Sequence, residues 1–196
     1  MGSGTGELVT PIVVTPTPAD ILSQAKSKFS IMYLNETRLS QLLRIALGTF
    51  QDKAGLIKKE KTTGENSYIA LPNNFLDIAV VMDARGAWCD WEVESDKISV
   101  VPESTHKLPY TIHYFVNLRD YPENEGLPSE IVGKIKSYLE VLIEIENNQR
   151  HRQVLAATNM QADVPDSSEL ENKKQLTEQD FEDAQAIIPI ATVSYE

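Results

Sequence analysis

Apolar positions recur at three- and four-residue steps in some stretches of the chain and at two-residue steps in others, and that change of period lays out the elements. In residues 128–160, Ile131, Ile135, Tyr138, Leu139 and Leu142 form one continuous stripe, which is wide enough to bury one side of a long helix. Pro128, Ser129 and Glu130 stand at its start, where helices accept a proline and an acid. From Glu144 the composition turns to EIENNQRHRQ. The same helix is therefore expected to leave the core and run toward solvent or a neighbour, its first half supporting the fold and its second half open to contacts.

Two further helices are expected near the start. Thr17, Pro18 and Asp20 make a capping-box pattern with proline at the first helical position. Ile21, Leu22, Ala25, Phe29 and Met32 supply the buried face, and Asn35 breaks the run. Leu39, Leu42, Leu43, Ala46, Leu47 and Phe50 then repeat at helical spacing until Gly55. The lysine-rich stretch LIKKEKTTGEN reads as a solvated connector or hairpin tip.

From Tyr68 the period becomes two and the residues β-branched and aromatic. Strands are expected at 67–71, 76–83, 88–94, 97–101 and 110–116, separated by sets such as Pro72-Asn73-Asn74 and Ala84-Arg85-Gly86 that favour turns. Short strands with tight turns imply antiparallel pairing in a meander or small sandwich. Helices, then a block of strands, then a helix is an α+β order: N-terminal helices, a small antiparallel β domain and a long helix packed on it. Residues 161–174 read as an exposed polar loop. Thr177 to Asp180 repeats the capping pattern before a short acidic helix carrying Phe181 and Ala184.

Both ends are apolar and β-prone with a proline inside: residues 8–15 around Pro11, and residues 186–195 around Pro189. Each reads as an extended arm that pairs along a sheet edge or lies on another subunit, although the first also suits a strand returning to its own sheet. The opening MGSGTG reads as a tag remnant or flexible leader. The chain thus divides into a leader and arm (1–17), a helical and antiparallel β domain (18–160), and an acidic linker, short helix and docking arm (161–196).

Charge narrows the partners. The net charge is −11, and residues 161–196 carry nine acids against two lysines, or −7 of it. Phosphate-backbone binding as the main role is disfavoured, because it needs clustered Lys and Arg. The single cysteine, Cys89, cannot form an internal disulfide. The chain contains no run of eighteen apolar residues and no recognisable signal peptide, so it is expected to be soluble and unexported, without a membrane partner.

Catalytic patterns are missing from the sequence. His106, His113 and His151 are scattered, without the spacing that places two imidazoles on one metal. Cys89 reads as a half-buried small hydrophobe. The chain has no glycine-rich phosphate loop, no G-x-S-x-G elbow and no dinucleotide fingerprint. Asp90, Glu92, Glu94 and Asp96 read as a solvated strand face, with Trp91 and Val93 as its buried side, and Glu140 and Glu144 as surface or partners for a lysine. No enzyme activity, catalytic residue, metal or cofactor is expected.

Three stretches together resemble the head-to-tail adaptor proteins of tailed bacteriophages. The first is Tyr68-Ile69-Ala70-Leu71-Pro72-Asn73-Asn74-Phe75-Leu76-Asp77-Ile78, followed by a turn like Arg85-Gly86 with an aromatic soon after. The second is Leu127-Pro128-Ser129-Glu130-Ile131-Val132 leading into the long helix with Glu146-Asn147-Asn148-Gln149-Arg150, and the third is the exit through residues 183–189. The resemblance covers roughly residues 18–196. It implies a structural virion protein, assembled in the bacterial host cytoplasm, whose subunits, usually twelve, form a connector or neck ring beneath the portal. Such a ring extends the DNA channel without sequence-specific DNA binding and attaches the next tail component. Glu144, Asn147, Asn148, Arg150 and Arg152 would then be candidates for subunit or portal contacts. Ile187, Ile188, Ile190, Val193 and Tyr195 would form the docking arm. The acidic stretch from Asp163 to Lys174 departs from the family.

Other readings remain open beside this one. The chain also suits a neck or tail-completion ring subunit that binds the adaptor instead of the portal. It also suits a monomeric β-rich binding module with Trp88, Trp91 and Tyr110 as a ligand platform.

Overall fold

A computed structural model of the protein describes residues 15–160 and 166–185. Helix α1 (Pro18–Lys26) begins where Thr17 and Asp20 cap one another: the Asp20 amide donates to Thr17 Oγ1 at 3.2 Å and the Thr17 amide to Asp20 Oδ2 at 2.9 Å. Helix α2 (Glu36–Lys53) starts at Asn35, whose side chain accepts the Arg38 amide at 2.9 Å. The break expected at Asn35 is thus the cap of the next helix.

Among the described residues six strands follow: β1 (Ile57–Lys61), β2 (Tyr68–Ala70), β3 (Phe75–Met82), β4 (Asp90–Val93), β5 (Lys97–Val101) and β6 (Thr111–Val116). They form two antiparallel three-stranded sheets, ordered β1-β6-β3 and β2-β5-β4. The chain crosses between sheets rather than meandering through one. The turn 83–87 joins them, with Met82 bridging Trp88 and the Cys89 amide donating to the Val81 carbonyl at 3.0 Å. Gly86 supplies the positive φ of 84° that this turn needs.

The lysine-rich stretch is a connector only over residues 62–66; residues 57–61 are strand β1, paired with β6 from Ile57 opposite Phe115 to Lys61 opposite Thr111. Its period was hidden because an outer strand can be polar on both faces. Glu60 accepts the Tyr114 hydroxyl at 3.1 Å, and the Lys58 ammonium lies 5.7 Å from the Tyr121 ring centre.

Helix α3 (Ser129–Thr158) runs across the assembly, with Pro128 at its N-cap and Asn159 closing it in the left-handed conformation. Helix α4 (Ser167–Glu182) takes in residues 167–174 of the stretch expected to be a polar loop, whose residues 161–165 lie outside the described residues, and starts well before the expected short helix. Its cap is Asp166, and Thr177 lies inside it, donating back to the Lys173 carbonyl at 2.9 Å. Only Leu170 and Phe181 of this helix are buried. They are eleven residues apart, about three turns, too sparse to show as a stripe.

One apolar cluster joins both sheets and the helices. Ile69, Ile98, Val100, Ile112, Tyr114 and Val116 meet Leu42, Leu47, Phe50, Ile135, Tyr138 and Leu139 in it. Phe181 belongs to the same cluster, so the packed unit extends past residue 160. At the other end, the Leu127 amide donates to the Pro16 carbonyl at 2.9 Å. A Cβ at Gly126 would run into Thr15, so glycine permits that close approach.

Candidate interaction surfaces

The polar half of α3 is more occupied than the sequence suggests. Asn147 is 8% exposed, and its amide clamps the α1–α2 connection: Oδ1 accepts the Tyr33 amide at 2.7 Å and Nδ2 donates to the Ile31 carbonyl at 2.9 Å. His151 stacks on Tyr33 with ring centres 5.2 Å apart. Glu146 is held in a two-pronged pair with Arg38, Glu140 with Lys28 at 2.7 Å, and Glu144 with Lys173 at 2.8 Å. Arg152 donates to Ser167 Oγ at 2.9 Å, tying α3 to the start of α4. Asn148 is half-buried, its Nδ2 without a hydrogen-bond partner among the described residues. Arg150 is exposed.

The apolar packing of α3 ends at Ile143, as its composition predicts, and beyond it only Asn147 is buried. Asn147 and Glu144 nonetheless have partners within the chain. An Asn147→Ala variant is expected to lose about 1–2 kcal/mol, because both partners lose a hydrogen bond. Urea unfolding measures the loss, and hydrogen exchange should show the Tyr33 amide exchanging faster.

Strand β4 presents a different surface. Its register sets Trp91 and Val93 on the same face as the buried Val100 and Ile98. That face was expected to be covered, but the core stops short of this outer strand: Trp91 is 40% and Val93 43% exposed, and Trp88, two residues before the strand begins, is 65% exposed. On the opposite face Asp90, Glu92 and Glu94 stand in solvent with Asp96 in the turn, Glu94 pairing with Lys97 at 3.2 Å. An apolar edge flanked by acids results. Tyr110, the third member of the conjectured aromatic platform, is 3% exposed and belongs to the core.

A groove of about 530 Å³ opens between β1 and the helices. Phe50, Leu56, Ile57, Pro128, Ile131 and Ala184 give it apolar walls, with Lys58, Lys59, Lys134 and Glu130 around them and His113 within. Burial, and then the neighbouring Lys59 charge, hold the His113 imidazole below its ordinary pKa, so it is neutral at pH 7. These residues come from separated segments, and no local pattern links them.

The chemistry of the remaining groups is quiet. Burial pushes the Cys89 thiol up to about 11, with Asp83, Glu103 and Asp90 adding to the shift, so it is not a thiolate at neutral pH. Among the described residues no group of three or more His, Cys, Asp or Glu is placed to hold a metal ion, and no helix is long and apolar enough to cross a membrane. The candidate arm residues Ile187, Ile188, Ile190, Val193 and Tyr195 lie outside the described residues.

No protein-family profile matches the chain, and no curated protein is significantly similar to it.

Proposed function

We propose that the protein is a structural assembly subunit, a head-to-tail adaptor that forms a ring on a phage portal and carries the tail. The observation that carries this reading is the outer strand β4, whose Trp91 and Val93 are exposed at an acid-flanked edge. Outer strands with apolar side chains pair with other chains, and in an assembly that tendency becomes the means of joining. The Tyr68–Ile78 segment that resembles adaptors forms β2, at the other edge of the same sheet as β4, then the turn and the start of β3 in the second sheet.

Electrostatics point the same way. Lys26, Lys28, Arg38, Lys53, Arg119 and Lys173 are paired with acids inside the chain. A net −11 then repels passing phosphate, which suits a channel through which DNA slides. A ring needs two different complementary faces on each subunit, and the β4 edge is one of them.

The test is the solution mass, by light scattering or native mass spectrometry, alone and mixed with a portal. A defined multimer on the portal supports the reading, and Trp91→Asp, with circular dichroism checking that the fold is kept, should abolish it. A chain that stays monomeric with portals, or that instead retains a small ligand, overturns it.

A further inference from the structure

We propose that the groove beside β1 is the seat of the chain's own residues 186–190. Ala184 forms part of the groove wall. Gln185 is the last described residue, so the chain continues from the lip of the groove with Ala186-Ile187-Ile188-Pro189-Ile190. Five residues reach at most about 17 Å, enough to run along the wall from Ala184 past β1.

The chemistry of groove and segment match. The walls are Phe50, Leu56, Ile57, Pro128 and Ile131, and the segment is uncharged with three isoleucines. Removing those side chains from water drives the seating. Two of the three lysines at the groove already have partners that an anionic ligand would have to displace: Lys134 donates to the Asp180 carbonyl at 3.2 Å, and Lys58 lies 3.7 Å from Glu125. An uncharged apolar occupant leaves both in place. Strand β1 is the outer strand of its sheet, the position where a segment containing Pro189, which lacks an N–H, can lie alongside.

The tether selects the chain's own segment over that of a second copy, since an attached segment meets its seat at an effective concentration in the millimolar range. The seat does not depend on the ring reading; a monomer would use it equally. The competing occupant is residues 1–14, which approach at Thr15 and Pro16 beside Leu127, one residue from the groove-lining Pro128.

The test uses the full chain with Lys134→Cys as a maleimide reporter, Cys89 being buried and its thiol raised to about 11. Adding Ile187→Asp and Ile188→Asp is expected to speed labelling at position 134 roughly tenfold or more, by shifting the covering segment to its open state. Ile12→Asp with Val13→Asp should leave the rate unchanged. With Lys134→Cys and Ile188→Cys together, copper–phenanthroline should give a disulfide within one chain. Unchanged labelling with the C-terminal aspartates, acceleration only with the N-terminal ones, or disulfides only between two chains would each overturn the assignment.

Discussion

Phe181→Ala is expected to cost about 3–5 kcal/mol, the range for removing a fully buried aromatic ring, and to release α4 from the body of the protein. Phe181 is 0% exposed, and its ring meets Phe50 edge-on at 5.0 Å and Tyr138 at 5.2 Å. Leu170 is the only other buried residue of α4. The rest of the attachment is polar: the Tyr138 hydroxyl donates to Glu178 at 2.6 Å, and Lys53 pairs with Glu182 at 2.7 Å. Partly exposed ion pairs of this kind are worth about 0–1 kcal/mol each, so they cannot hold the helix once the ring is gone. Urea unfolding followed by circular dichroism reads both the stability and the helix content. A loss below about 1 kcal/mol would show that the polar contacts carry the attachment. High salt on the parent protein, which screens only those contacts, should shift the midpoint far less than the substitution does.

This dependence on one ring explains why α4 was hard to read from the sequence, while α2 and the first half of α3 were plain. Leu39 to Phe50 and Ile131 to Leu142 repeat at every turn because each turn faces the core. Strand β5 was legible to the residue for a similar reason, its buried Ile98 and Val100 alternating with less buried neighbours. Strand β1 was not, because lysine and glutamate alternate with lysine when a strand lies at the margin of a sheet. In β4 the alternation correctly told which side chains share a face. It did not tell how far the core extends beneath that face, and so Trp91 and Val93 were assigned to the interior. Asn147 read as a surface amide because its partners, Ile31 and Tyr33, lie more than a hundred residues away. The groove was illegible for the same reason, as Phe50, Ile57, His113, Ile131 and Ala184 meet only through tertiary folding.

Asp83→Ala is expected to cost about 3 kcal/mol at neutral pH, since several hydrogen bonds to a charged acceptor, each worth about 1.5–3 kcal/mol, are lost together. The Asp83 carboxylate is buried where the sheets join, accepting the Arg85 amide at 2.8 Å, the Ala87 amide at 2.9 Å and the Lys107 amide at 2.9 Å. It ties the turn that links the sheets to the loop preceding β6. Burial opposes its ionisation, but the Lys107, Ala87 and Arg85 amides together with the Arg85 charge outweigh burial and hold its pKa below the ordinary 3.8. The unfolded chain therefore takes up the proton more readily than the folded one. Stability from the ionised group is fully present above about pH 4 and is lost as the pH falls through the lowered value. His113 acts in the same direction at higher pH: its pKa lies below 6.5, so the unfolded chain binds the proton first and stability declines as the pH falls below about 6.5. Urea unfolding across the acid range separates the two. The gap between parent and Asp83→Ala should be constant from pH 7 to about pH 4, with both sharing the decline from His113, and should narrow below that. A gap still undiminished at about pH 2 would mean that the substitution acts through the shape of the turn and not through the charge that the three amides hold.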